Sequence, residues 1–141
     1  TSDENVDATA MWLVKDPYQY DIIVTTNMFG DILSDEAAQL VGGLGMVPSA
    51  NIGHNFALFE PSHGSAPKYA GQLKVNPIAS ILAAKAMLEW LKETKLAAAI
   101  EKAVAAVISG GRVKTYDLGG TNSTMEVADA ISKKAVEHLA G

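Results

Sequence analysis

The run from Asn27 to Asp35 reads NMFGDILSD and decides how the rest of the chain is interpreted. Asp31 and Asp35 are four positions apart, so both carboxylates fall on one face if a helix begins here. Asp31 would then cap a helix from Ile32 to about Leu40, and the acidic side chains would complement the positive end of its dipole. A carboxylate pair also suits Mg²⁺ or Mn²⁺, which prefer hard oxygen ligands. Spacing alone favours the capping interpretation and leaves the metal site open.

Before this run, the sequence predicts a helix and then a strand. Apolar residues from Val6 to Val14 have helical spacing, and the pattern stops at Asp16 because the next residue is Pro17. The β-branched run Ile22–Thr26 predicts a buried strand. Glycines from Gly42 to Gly45 end the helix that carries Asp31.

The second half of the chain predicts a strand and three helices separated by loops. The expected strand is Phe56–Phe59, and a long loop runs from Glu60 to Pro77. The expected helices are Ile78 to about Lys92, about Lys95 to Ser109, and Thr121 to Leu139, the last with Glu126 as capping-box partner of Ser123 or Thr124. Arg112–Gly120 is expected to be a loop with a short extended piece. The chain contains no repeat and no linker, which predicts one domain.

The loop that begins at Glu60 contains a second candidate site, with the sequence EPSHGSAPKYAG. Gly64 lets backbone approach a ligand, Ser65 and nearby amides suit phosphate oxygens, and Lys68 and Tyr69 add a cation and a phenol. A polar surface loop in which His63 satisfies a neighbouring carbonyl is an equally good interpretation. The glycine-rich dinucleotide fingerprint fails, because Pro48 stands where the last glycine of G-x-G-x-x-G belongs.

Composition excludes several classes of protein. The net charge is −5 and there is no cysteine, which argues against nucleic-acid binding, zinc ribbons and thiol catalysis. Charged residues interrupt the most apolar stretches, Ile78–Leu91 and Leu96–Ile108, so we expect no membrane span. The location that we expect is cytoplasmic. The chain begins at Thr1 without a signal-peptide pattern, and we expect it to be part of a longer polypeptide.

The motifs taken together resemble the decarboxylating β-hydroxyacid dehydrogenases, the family of isocitrate, isopropylmalate, homoisocitrate and tartrate dehydrogenases. The matching stretches, in order, are Asn27–Asp35, Gly42–Met46, Pro48–Gly53, Phe59–Pro67 and Asn76-Pro77. This resemblance implies a mixed-sheet α/β fold distinct from the Rossmann fold. It also implies a homodimer with shared active sites and a small hydroxy-acid substrate.

The resemblance further implies which residues bind metal and cofactor. Asp31 and Asp35 match the ligands of a Mg²⁺ or Mn²⁺ ion, and Asp7 matches an aspartate that reaches the metal of the partner subunit. The cofactor residues implied are His63, Gly64, Ser65, Ala66, Pro67, Lys68, Tyr69, Asn76 and Tyr116. Of these, Asn76 would bind adenine.

Lys68 and Tyr69, with Tyr116, resemble the residues that hold the 2′-phosphate in NADP-dependent isocitrate dehydrogenases. Two positions depart from that pattern, because Gly120 and Asp16 stand where bacterial NADP enzymes place arginines. The run Asp117–Thr121 is more similar to the NAD-using branch. NADP is therefore the expected cofactor, with NAD as the alternative.

The function implied is oxidative decarboxylation of isocitrate to 2-oxoglutarate with hydride transfer to NADP. The alternatives are a 3-isopropylmalate, homoisocitrate or tartrate dehydrogenase that uses NAD, or a non-catalytic nucleotide-binding subunit. In this family the catalytic tyrosine and lysine lie upstream of the matched region. We therefore expect residues 1–141 to be a single segment, the C-terminal part of the large domain of a longer subunit, and to be inactive alone.

Overall fold

The computed structural model describes residues 1–140, which form two compact units. The first unit is Thr1–Gly43 and the second begins at Leu44. Both α-helices and a two-stranded antiparallel sheet are present, so the predicted mixed α/β fold is confirmed. That residues 1–141 are one segment of a single domain stays a prediction. No helix within residues 1–140 has the length and apolar character needed to cross a bilayer.

The first unit consists of two helices that pack on each other, α1 (Val6–Lys15) and α2 (Asn27–Leu40). As predicted, α1 ends before Pro17, which begins a short turn, Pro17–Gln19. Leu13 of α1 and Leu33 of α2 are both buried.

Two predictions for this unit are wrong. Asp31 does not cap α2, because the helix begins at Asn27: the backbone N–H of Gly30 already donates to the carbonyl of Thr26 at 2.9 Å. Ile22–Thr26 is not a buried strand. It lies exposed, with Val24 91% accessible, and no described residue pairs with it.

The second unit combines a hairpin with three helices. Strand β1 (Pro48–Ile52) pairs with β2 (Ala57–Pro61) in a register that places Pro48 opposite Pro61 and Ile52 opposite Ala57. β2 confirms the expected strand near Phe56–Phe59, whereas β1 was not predicted. The helices are α3 (Ile78–Trp90), α4 (Thr94–Gly110) and α5 (Thr124–Ala140).

The core of the second unit lies where these three helices meet. Its fully buried members are Ile78 from α3, Ala103 and Val104 from α4, and Val127 and Ile131 from α5. The small side chain of Ala103, with no exposed surface, lets the helices approach closely. This packing fixes the ends of the two loops that carry the predicted cofactor residues, 62–77 and 111–123.

Short turns interrupt both loops. The first contains the 3-10 turn Pro67–Tyr69 and the second contains the 3-10 turn Tyr116–Leu118. The extended piece expected within Arg112–Gly120 is therefore wrong for this described part of the chain. The predicted capping box at α5 is confirmed: the Ser123 N–H donates to Glu126 Oε2 at 2.8 Å, and the Glu126 N–H donates to Ser123 Oγ at 3.2 Å.

Candidate functional site

The predicted metal ligands Asp31 and Asp35 both lie exposed on α2, one helical turn apart. Leu33 between them is buried, so the packing of α2 turns both acids outward. Within residues 1–140, neither carboxylate forms an ion pair, and the Ser34 hydroxyl donates to the backbone carbonyl of Asp31, not to its side chain. Two unpaired oxygen donors on one helix face fit a divalent ion that takes one or two carboxylates.

Asp7, the third predicted ligand, lies exposed on α1. Among the described residues, no group of three or more His, Cys, Asp or Glu side chains is close enough to hold a metal ion. Asp7 therefore does not complete a site with Asp31 and Asp35 within one chain. Its role toward a partner subunit stays a prediction.

The loop that follows β2 has a defined backbone around His63. His63 Nδ1 donates to the carbonyl of Gly64 at 2.9 Å, which is the local contact expected of a polar surface loop. Gly64 and Ser65 are exposed, and Ala66 has a left-handed conformation with φ 42° just before the turn Pro67–Tyr69. A non-glycine residue in this region is strained and persists only where its surroundings hold it.

Four side chains from the two loops form what we call the tyrosine–lysine cluster: Lys68, Tyr69, Lys74 and Tyr116. The rings of Tyr69 and Tyr116 are 5.5 Å apart. Lys68 Nζ lies 4.9 Å from the centre of the Tyr69 ring, and Lys74 Nζ lies 4.9 Å from that of Tyr116. The structure therefore brings Tyr116 to Tyr69 and its neighbour Lys68, although the two loops are far apart in sequence. It also adds Lys74, which sequence reasoning missed.

The electrostatics of the tyrosine–lysine cluster follow from these contacts. The pKa of Tyr69 is lowered mainly by the neighbouring Tyr116 hydroxyl. The positive charges of Lys68 and Lys74 lower it further. The pKa of Tyr116 is raised, mainly by its contact with Tyr69. No described carboxylate lies within ion-pair distance of Lys68 or Lys74, although the charge of Asp117 reaches Tyr116.

Asn76 is buried, and the chain itself uses both of its side-chain polar groups. Its Oδ1 accepts from the backbone N–H of Ile78 at 3.0 Å, which caps α3, and its Nδ2 donates to Asp117 Oδ2 at 2.9 Å. The second bond ties the loop that precedes α3 to the loop that carries Tyr116. The predicted contact with adenine would use the second lone pair of Oδ1 or the backbone of Asn76, or displace one of these bonds.

Two glycines permit close contacts beside the cluster. A Cβ on Gly45 would lie 3.0 Å from Asn76 Cβ and 3.1 Å from Asp117 Oδ2, so Gly45 makes room for the Asn76–Asp117 pair. A Cβ on Gly120 would overlap the backbone carbonyl of Lys114. An arginine at position 120 is therefore incompatible with this backbone.

Comparison with known proteins extends these observations. The sequence model for isocitrate/isopropylmalate dehydrogenase matches residues 1–131. The chain is 54% identical over 132 residues to a 3-isopropylmalate dehydrogenase of Methanothermobacter thermautotrophicus, covering 94% of this chain and 40% of the relative. It is 51% identical over 136 residues to a homoisocitrate dehydrogenase of Methanocaldococcus jannaschii, covering 96% and 39%.

A solved structure gives the same result. The crystal structure of isocitrate dehydrogenase from Methylococcus capsulatus superposes with a TM-score of 0.91 at 48% identity, covering 94% of this chain and 40% of that chain. The chain thus spans about 40% of the length of the relatives it matches.

Proposed function

The chain belongs to the isocitrate/isopropylmalate dehydrogenase family, and on this premise we propose that it is the metal- and cofactor-binding part of a subunit that oxidatively decarboxylates a small hydroxy acid. The observation that carries the proposal is the exposed, unpaired carboxylate pair of Asp31 and Asp35 on α2. Structural helix acids do not need this arrangement, because a single cap or a single first-turn acid satisfies a helix end. Here both acids lie inside the helix rather than at its cap.

Asp31 and Asp35 would hold Mg²⁺ or Mn²⁺ through one oxygen or more of each carboxylate. Such an ion supplies Lewis-acid polarisation of the substrate oxygen that becomes a carbonyl, and it offsets the negative charge left when CO₂ departs. The contribution of this chain is to fix both carboxylates on one rigid helix face, because buried Leu33 holds α2 against α1. We propose that the proton-transfer groups come from the remainder of the subunit.

We propose a homodimer in which Asp7 contributes to the metal site of the partner. Its exposure on α1 supports this role.

NADP is the cofactor that the second unit supports best. Its nicotinamide supplies the hydride acceptor for oxidation of the substrate. The 2′-phosphate that distinguishes NADP from NAD carries a charge of about −1.5 to −2, and the tyrosine–lysine cluster offers exposed ammonium groups without a neighbouring carboxylate. His63, Gly64, Ser65, Ala66 and Pro67 would line the adenosine beside it.

Isocitrate is the proposed substrate, with 2-oxoglutarate and CO₂ as products. Its support is the similarity of Lys68 and Tyr69 to the residues of NADP-dependent isocitrate dehydrogenases. The names of the two curated relatives favour a second candidate substrate, 3-isopropylmalate or homoisocitrate. NAD is the cofactor that we propose for this alternative. A non-catalytic nucleotide-binding subunit is the third. Retention of both Asp31 and Asp35 weighs against it, because binding a nucleotide does not require a carboxylate pair.

The test uses the complete subunit, with isocitrate, 3-isopropylmalate and homoisocitrate each assayed with NADP and NAD in the presence of Mn²⁺. Asp31→Asn and Asp35→Asn should each lower turnover by about 100-fold and weaken Mn²⁺ binding measured by calorimetry. Asp129→Asn is the matched control, since Asp129 is an exposed acid on α5.

Two results would contradict different parts of the proposal. Unchanged turnover and Mn²⁺ affinity in both variants would refute the metal assignment. Faster turnover of 3-isopropylmalate with NAD than of isocitrate with NADP would refute the substrate and cofactor assignment while leaving the metal site in place.

A further inference from the structure

We propose that Lys74 is a specificity-determining residue that contacts the 2′-phosphate of NADP together with Lys68, a role that rests on the proposed use of NADP. Lys74 Nζ lies 4.9 Å from the centre of the Tyr116 ring and 5.6 Å from that of Tyr69, so it stands over both rings of the tyrosine–lysine cluster. Lys68 contacts only the Tyr69 ring. The two ammonium groups therefore flank the aromatic pair from different positions along the loop.

The backbone on both sides of Lys74 is fixed by the first residue of α5. The Thr124 N–H donates to the carbonyl of Leu73 at 2.7 Å, and the Thr124 hydroxyl donates to the carbonyl of Val75. These bonds hold Lys74 between two anchored neighbours. Leu73 has φ 47°, a left-handed conformation that leucine adopts only under such constraint. Next to this constrained residue, Lys74 Nζ lies 4.9 Å from the centre of the Tyr116 ring.

The charge balance of the cluster favours an anion between the lysines. No described carboxylate pairs with Lys68 or Lys74. Asp117, the acid in the same loops, accepts a hydrogen bond from Asn76 at 2.9 Å; its charge acts on Tyr116, but it forms no ion pair with Lys68 or Lys74. Two unneutralised ammonium groups repel each other, and a phosphate dianion between them would relieve that repulsion. Both ammonium groups lie over the Tyr69 ring, Lys68 Nζ at 4.9 Å and Lys74 Nζ at 5.6 Å from its centre, and they add to the lowering of the Tyr69 pKa that Tyr116 mainly causes.

Gly120 explains why the cation beside Lys68 would come from Lys74 in the 62–77 loop and not from position 120 in the 111–123 loop. Any side chain at position 120 would collide with the backbone of Lys114, so this loop cannot provide a cation at that position in its present conformation. Lys74, in the 62–77 loop, places an ammonium group 4.9 Å from the centre of the Tyr116 ring without any change in the 111–123 loop.

The experiment measures binding of NADP⁺ and NAD⁺, which differ only in the 2′-phosphate, to the complete subunit by calorimetry. Lys74→Gln should weaken NADP⁺ binding about fivefold, the range expected of an exposed ion pair, and change NAD⁺ binding less than about twofold. The NADP⁺ effect should shrink as salt is raised. Lys74→Arg should retain most of the preference. Lys133→Gln on α5 is the control, because Lys133 is exposed and forms no ion pair among the described residues.

Each outcome has a defined meaning. If the wild-type subunit shows no preference for NADP⁺, both this inference and the proposed cofactor are wrong. If it prefers NADP⁺ and Lys68→Gln reduces the preference while Lys74→Gln does not, the inference about Lys74 alone is overturned. Equal weakening of NADP⁺ and NAD⁺ by Lys74→Gln also overturns it, because the effect then does not arise at the 2′-phosphate.

Discussion

Asn76 provides a way to test the link between the two loops, because its side chain performs two separable functions. Asn76→Asp keeps an oxygen that can accept from the N–H of Ile78 but replaces the donor facing Asp117 with a second carboxylate. A hydrogen bond to a charged group contributes about 1.5–3 kcal/mol. The new repulsion adds about 1 kcal/mol or more, because position 76 is buried and a carboxylate there is poorly solvated. Water reaches only the exposed Asp117 side of the pair, so we expect destabilisation of at least about 2 kcal/mol at pH 7.

The pH dependence distinguishes this explanation from a simple loss of packing. Two carboxylates in contact share a proton, which raises the pKa of one of them in the folded state. A raised acid pKa means that the folded state binds more protons than the unfolded state, so the Asn76→Asp deficit should shrink as the pH falls toward about 4. Asn76→Ala, which removes the cap as well, should lose about 2–3 kcal/mol and recover less.

Urea unfolding followed by circular dichroism, at pH 7 and at acidic pH, measures both effects. Asn51→Asp is the matched control, because Asn51 is exposed on β1 and the same charge is introduced there. If Asn76→Asp is as stable as Asn51→Asp at pH 7, the Asn76–Asp117 bond does not hold the loops together.

Three further changes should have measurable effects on unfolding. Gly120→Ala should cost about 3 kcal/mol, because its Cβ would overlap the Lys114 carbonyl; a smaller loss than 0.5 kcal/mol would show that the backbone yields easily. Hydrogen bonds from the backbone and hydroxyl of Ser123 lower the pKa of Glu126. The stabilisation that ionised Glu126 gives the folded state is therefore present above its unfolded-state pKa and is lost as the pH falls through its folded-state pKa. Glu126→Gln should therefore be less stable than wild type near pH 7, and the difference should shrink as the pH falls through the folded-state pKa of Glu126; a difference independent of pH would contradict this. Val127→Ala should shift the unfolding free energy by about 2 kcal/mol, because Val127 is 1% exposed in the helical core; a neutral result would mean that the core collapses around it.

Local signals in the sequence predicted the helices of the second unit well. The spacing of Ile78, Ile81 and Leu82 marks the buried side of α3, and Pro77 lies directly before its first residue. Ser123 and Glu126 form the predicted capping box because that signal needs only residues three apart. Such patterns are complete within one turn of helix, so sequence alone contains the information.

Features that depend on distant partners could not be predicted. The β-branched run Ile22–Thr26 has high strand propensity, yet a strand forms only where another strand accepts its backbone hydrogen bonds. Pro48–Ile52 includes proline, alanine and asparagine, which are poor strand formers, and still pairs with Ala57–Pro61. The start of α2 was misplaced because the run Asn27–Gly30 carries no strong helix signal.

The candidate site shows the same division. Lys68, Tyr69 and Tyr116 were predicted as a group through family resemblance, and the structure brings Tyr69 and Tyr116 into contact. Lys74 was missed because it follows Leu73, whose backbone is left-handed. Leucine rarely adopts this conformation, so the sequence contains no signal for it.

The double attachment of Thr124 to the residues on either side of Lys74 has a practical consequence for protein engineering. A loop graft that transfers residues 62–77 between relatives would carry the charged side chains without the helix start that orients them. A recipient protein without a hydroxyl at position 124 would lack the hydrogen bond to the carbonyl of Val75, so the grafted Lys74 would not be held in the same position. If these loops determine cofactor preference as proposed, a loop graft should change that preference only when the residues after Leu73 are transferred with the beginning of α5.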